Sequence, residues 1–150
     1  MKRITLFDIQ SYFRRYGWSY EGDGQTYSCT SHSEKVYSIR ASVSKTFISF
    51  EASLISIPDY CSRYVLQKKL SELLLKANYE NSLIKISVSQ SGEIVLMIDV
   101  LNMGFNYAQF EMIIGIMGYY YDFVFDELHS VLDQVTFHQE QVKTIFYRQR

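Results

Sequence analysis

Between Ser62 and Leu101 the chain changes its hydrophobic period, and that change limits the folds open to it. Leu66, Leu70, Leu73, Leu74 and Ala77 recur at the i, i+4, i+7 spacing that makes one buried stripe on a helix. Ile84, Ile86 and Val88 then alternate with Lys85, Ser87 and Ser89, the two-residue period of a half-buried strand. Ser91-Gly92 supplies a turn, and Ile94 to Val100 returns as a second strand. Helix, strand, turn and strand in so short a span form one supersecondary unit, and the remaining elements must cover its apolar faces.

A chain of 150 residues is one domain by size and long enough for a sizeable core. It holds thirteen tyrosines and ten phenylalanines but a single proline, which favours long uninterrupted elements over a disordered linker. Aromatic side chains in such number can serve an interface as well as a core. The net charge of -1 gives no general attraction to nucleic acid or anionic lipid. Two cysteines, Cys29 and Cys61, form neither a disulfide framework nor a metal spacing, as in a cytoplasmic protein with reduced thiols. No stretch has the pattern of a signal peptide or the length of a membrane span.

The other elements follow in order. Leu6, Ile9, Phe13 and Tyr16 share one face of a first helix, with Thr5 and Asp8 at its start and Gly17 as its stop. Trp18 to Thr30 is expected to be a hairpin turning at Gly22-Asp23-Gly24, and Lys35 to Ile57 a longer hairpin turning at Ser44-Lys45. In the longer hairpin Tyr37, Ile39, Ala41 and Val43 line one side, facing Ile48, Phe50, Ala52 and Leu54. The opposite side is mostly Ser, Thr, Lys and Glu, so the sheet should be covered on one face and wet on the other. Pro58-Asp59 marks the boundary before the central helix, and Asn78 or Asn81 its end. Asn106 and Gln109 imitate a capping box before a last helix from Tyr107 to Leu132. Its main stripe is Phe110, Ile113, Ile114, Met117, Tyr121, Val124, Leu128 and Leu132. Val135, Val142, Ile145 and Phe146 give the tail a weaker helical pattern. The expected division is a domain over 1–132 and a C-terminal helical extension over 133–150.

The last helix carries a second apolar stripe, Met112, Ile116, Tyr119 and Phe123, on its other side. A helix apolar on two sides is covered by its own sheet on one. On the other it is covered by the folded-back tail, another subunit or another protein, simple exposure being the remaining alternative. Gly115 and Gly118 lie within it, each costing roughly 1 kcal/mol against alanine in a helix interior. Close approach of a second backbone would offset that cost, whether from a partner or from the chain's own sheet or tail. Asp122, Asp126 and His129 share a polar face at i, i+4 and i+7, a spacing from which a divalent metal could draw ligands. No other helix offers a matching set, and an ordinary solvated face explains them as well. His32 and His138 belong to no nucleophile arrangement, and there is no dinucleotide fingerprint, nucleophile elbow or zinc-protease motif. Basic residues such as Lys68-Lys69 are scattered among acids, without the aromatic motif of an RNA-binding sheet.

Local residues resemble the YbjN-like family of bacterial proteins, often labelled sensory transduction regulators. They are Leu73-Leu74-Leu75-Lys76-Ala77-Asn78-Tyr79-Glu80-Asn81, then Leu83 to Ser89, Gly92-Glu93-Ile94-Val95-Leu96, and Tyr107-Ala108-Gln109-Phe110-Glu111 opening the long helix. The resemblance covers roughly residues 4 to 132. It implies a fold similar to type III secretion chaperones, in the order α-β-β-β-α-β-β-α, with no catalytic residues. Proteins of that shape commonly dimerise or hold another polypeptide. The chain departs from the pattern in a possible fourth strand before the central helix and in its long tail.

The expectation is an α+β domain with a single antiparallel sheet of five to six strands and helices packed on one face. The function expected is non-enzymatic protein binding, chaperone-like or regulatory, by a cytoplasmic protein without cofactor that binds a protein partner or a second copy of itself. Met112, Ile116, Tyr119 and Phe123 are the contact residues, with no nucleic acid or membrane among the partners. The alternative is a metal- or small-molecule-binding protein using Asp122, Asp126 and His129.

Overall fold

A computed structural model describes residues 1–21, 25–56, 63–80, 83–89 and 91–148, with side chains described as far as Gln134 in the last helix. The expected turn at Gly22-Asp23-Gly24, the Pro58-Asp59 boundary, Cys61 and Asn81 lie outside these residues.

The first helix, α1 (Leu6–Tyr16), begins at a capping box in which Thr5 and Asp8 satisfy each other's backbone N–H groups. The hydrogen bond from the Thr5 backbone holds the Asp8 carboxyl below its usual range. Gly17 ends the helix at φ 94°, a conformation that costs glycine little. The chain continues through β1 (Tyr20–Glu21), β2 (Thr26–Thr30), β3 (Val36–Val43) and β4 (Phe47–Ser56). Helix α2 (Arg63–Glu80), β5 (Lys85–Val88), β6 (Glu93–Leu101) and α3 (Tyr107–Arg148) complete it.

The strands form one antiparallel sheet in the order β1-β2-β3-β4-β6-β5. The first four make a meander. The β5–β6 hairpin then enters with its second strand against β4, which leaves β5 at the edge. The fourth strand before α2 exists, but as the two-residue edge piece β1. Register sets the faces: Tyr27, Ile39, Ala52, Leu96 and Ile86 stand in one cross-strand row, and Ala41, Phe50 and Ile98 in the next. All eight are buried. The register shifts between Ser53 and Ile55, an irregularity that still leaves Leu54 buried. On the opposite face stand Arg40, Glu51, Lys85 and Asp99, and Asp99 accepts from Ser49 and pairs with Lys85 at 3.6 Å.

The three helices cover the apolar face. Phe13 of α1 stacks on Tyr27 with ring centroids 3.7 Å apart and meets Phe110 of α3 edge-on at 4.8 Å. Every residue of the expected main stripe of α3, from Phe110 to Leu132, is buried. Helix α3 starts at the Asn106–Gln109 capping box. It does not stop near Leu132 but runs unbroken to Arg148, 42 residues in all. At 1.5 Å per residue that is about 63 Å, far longer than the sheet face needs.

Two asparagines fasten the ends of the sheet. Asn102, 2% exposed, accepts from the Ile4 N–H at 2.7 Å and donates to the Ile4 and Ser44 carbonyls at 3.0 and 2.7 Å. It ties the chain start and the β3–β4 turn to the end of β6. Asn78, in the last turn of α2, accepts from the Ile86 N–H at 2.8 Å and donates to the Ile86 carbonyl at 3.1 Å. Its amide therefore occupies part of the outer edge of β5, which an added strand would otherwise use.

A candidate protein-binding face on the last helix

The two stripes of α3 meet different environments. Met112 is 55% exposed, Tyr119 59% and Phe123 50%, whereas Ile116 is half-buried and packs against the core. Three of the four predicted contact residues therefore stand on the surface, and the fourth forms the floor between them. Because α3 is one continuous helix through Arg148, its tail leads away from this stripe and does not fold back over it.

A groove of about 290 Å³ opens beside the first turns of α3. Ile98 and Phe105 line it from the sheet side, Met112 and Ile116 from the helix, and Leu83 and Met103 from the rim. Its volume suits one or two large apolar side chains. Tyr79 and Leu75 on α2 are also exposed, at 92% and 72%. The sequence pattern did not single them out, although they stand four residues apart and off the stripe that holds Ala77.

The two glycines of α3 behave differently. Gly118 is buried, and a Cβ there would meet the Tyr37 hydroxyl at 3.6 Å and the His32 ring at 3.7 Å. These are ordinary contact distances, so Gly118 lies under its own chain without needing to be glycine. Among the described residues nothing lies within 4 Å of a Cβ placed on Gly115. No second backbone among these residues closes on Gly115 at its Cβ position, although His32 Nε2 lies 3.4 Å from its carbonyl oxygen.

The polar face works as a clamp. Asp122 accepts from Ser31 Oγ at 2.7 Å, from the Ser33 N–H at 2.9 Å and from Ser33 Oγ. Lys35 Nζ lies 2.7 Å from Asp126 and 3.9 Å from Asp122, above the Phe125 ring. Burial pushes the Asp122 carboxyl up, but the hydrogen bonds from Ser33 and Ser31, with Lys35 nearby, outweigh it and hold the group below the usual carboxylate range. The hydrogen bond to Asp126 raises Lys35 in turn. These contacts hold the turn between β2 and β3 against α3, with Glu34 at φ 63°. Tyr37 follows it, stacked on Tyr121 at 4.2 Å, and burial raises its hydroxyl pKa. That hydroxyl has no hydrogen-bond partner among the described residues.

The same contacts occupy the carboxylates of the metal arrangement. Asp122 and Asp126 are taken by serines and an ammonium group, and His129 packs against the Phe125 ring at 4.3 Å. No group of three or more His, Cys, Asp or Glu side chains among the described residues could hold a metal ion. Burial raises the Cys29 thiol, so it is not a reactive thiolate at neutral pH.

The sequence matches no protein-family model and no curated protein. Solved structures do share its fold. A chain of the ExsC–ExsE complex superposes with a TM-score of 0.55 at 13% identity, over 82% of this chain and 95% of that one. A chain of the heterodimeric ExoU–SpcU complex from the type III secretion system of Pseudomonas aeruginosa gives 0.51 at 12%, over 79% and 95%. YbjN from E. coli gives 0.51 at 14%, over 92% and 96%. The chain thus has the fold of YbjN and of type III secretion chaperones, as the local resemblance implied. No helix among the described residues is long and apolar enough to cross a membrane.

Proposed function

We propose that this protein is a non-enzymatic, chaperone-like binder of another polypeptide or of a second copy of itself. Met112, Ile116, Tyr119 and Phe123 are its contact surface. The carrying observation is the open stripe and its adjoining groove on a helix whose opposite stripe is fully buried. Burying such a surface is favourable by roughly 25 cal/mol per Å² of apolar area, and within the chain α3 leaves it in water. Two of the solved structures of the same fold are complexes, ExsC–ExsE and ExoU–SpcU, which supports a binding role.

The test uses Tyr119→Ser/Phe123→Ser, because Ile116 also supports the core. Light scattering of the purified protein and affinity capture from its native extract are compared for wild type and variant. The expected outcome is loss of self-association or of captured protein, with melting temperature unchanged. If both proteins are monomers that capture the same material, the face has no binding role.

A further inference from the structure

The charge around this face narrows the kind of partner it can take. Between Tyr107 and Gln134, α3 carries five acids, Glu111, Asp122, Asp126, Glu127 and Asp133, and no Lys or Arg. Asp122 is spent on the β2–β3 turn, and Lys35 pairs with Asp126. Glu111 directly precedes Met112, while Asp126 and Glu127 follow Phe123 by three and four residues, so acids border the stripe at both ends. All three are exposed. Among the described residues, Arg15 is seated over the Tyr107 ring and Lys69 lies 3.5 Å from Gln134. Among the described residues neither Glu127 nor Asp133 makes an ion pair.

We propose that the face from Met112 to Phe123 takes a basic amphipathic helix of another polypeptide. Its apolar side would fill the stripe and groove, and its Lys or Arg residues would lie against Glu111 and Glu127, since Asp126 is held by Lys35. This rests on the protein-binding reading above and adds the chemistry of the partner. The stripe is straight, about 17 Å long, and matches the anchor spacing of a helix laid along a groove. Among the described residues nothing lies within 4 Å of a Cβ placed on Gly115, so that side of the helix has room beside the His32 ring on its carbonyl. A second copy fits less well, because a two-fold contact through this stripe would set acids against acids.

Two synthetic peptides test the assignment by fluorescence anisotropy with the full chain. One is an amphipathic helix with leucines on one side and lysines on both flanks; the other has glutamates in place of the lysines. The lysine peptide should bind at least about tenfold tighter at low salt. That preference should shrink in high salt and in Glu111→Gln/Glu127→Gln. If the peptides bind equally and Tyr119→Ser/Phe123→Ser removes both, the charge assignment falls and the protein-binding reading stands. If light scattering shows a dimer that this variant splits, the occupant is a second copy and the basic helix is excluded. If neither peptide binds, the basic-helix assignment falls, and the protein-binding reading falls with it only where wild type and Tyr119→Ser/Phe123→Ser are both monomers that capture the same material.

Discussion

The two apolar stripes of α3 are made of the same kinds of residue on the same helix, yet one is core and the other is surface. Phe110, Ile113, Ile114 and Met117 are 0–3% exposed beneath the sheet, while Met112, Tyr119 and Phe123 are half exposed one helical face away. The difference does not lie in hydrophobicity. It lies in what the rest of the chain can reach. The sheet has one apolar face, and α1, α2 and α3 share it, so α3 can give it only one side. The unbroken helix to Arg148 then removes the tail as a cover. An apolar side chain thus reports a tendency to be buried without naming what buries it.

The comparison breaks most visibly at Phe110. Its ring lies within 4.8–6.1 Å of Phe13, Tyr12, Phe50, Tyr107 and Tyr16, all in the aromatic hub between α1 and α3. Phe110→Ala should cost about 3–5 kcal/mol in urea unfolding, since a packed hub cannot collapse into the space left. A loss near zero would mean that the buried stripe is as dispensable as the exposed one.

Asp122 lies between the two stripes and tests the clamp. Asp122→Asn should cost about 1–2 kcal/mol at neutral pH, because hydrogen bonds to a charged acceptor are stronger than those to a neutral one. The folded-state pKa of Asp122 is depressed. Its stabilisation is therefore complete above the ordinary carboxylate pKa and is lost as pH falls through that value toward the depressed one. Melting curves of wild type and variant should differ at pH 7 and draw together below about pH 4. A gap that stays constant with pH would show that the charge contributes nothing.

The smallest effect sharpens the contrast. Tyr119→Ser/Phe123→Ser should leave unfolding free energy within about 0.5 kcal/mol per substitution, as at surface positions generally. A cooperative loss of several kcal/mol would place these rings in the core.

Much of the fold was legible in the sequence because local patterns carried it. Thr5 with Asp8 and Asn106 with Gln109 satisfy backbone groups within one turn, so the starts of α1 and α3 could be read from neighbours. The alternation of Tyr37, Ile39, Ala41 and of Ile48, Phe50, Ala52 placed the buried side of the central hairpin. Other features depend on contacts across long stretches of chain. Asn78 read as the end of a helix, but its amide fastens the edge of β5. Asn102 stood out in no local pattern, but it joins β6 to Ile4 and Ser44. The placement of β6 beside β4, with β5 at the edge, also has no local signal.

The sequence by itself determined the elements, their faces and the presence of a second apolar stripe, because periodicity and capping act over a few residues. Only the tertiary structure decided which stripe the sheet covers, that Asp122 and Asp126 hold the β2–β3 turn, and that α3 continues unbroken to Arg148. Those outcomes depend on which surfaces meet after the chain has closed on itself, and spacing along the chain does not encode that meeting.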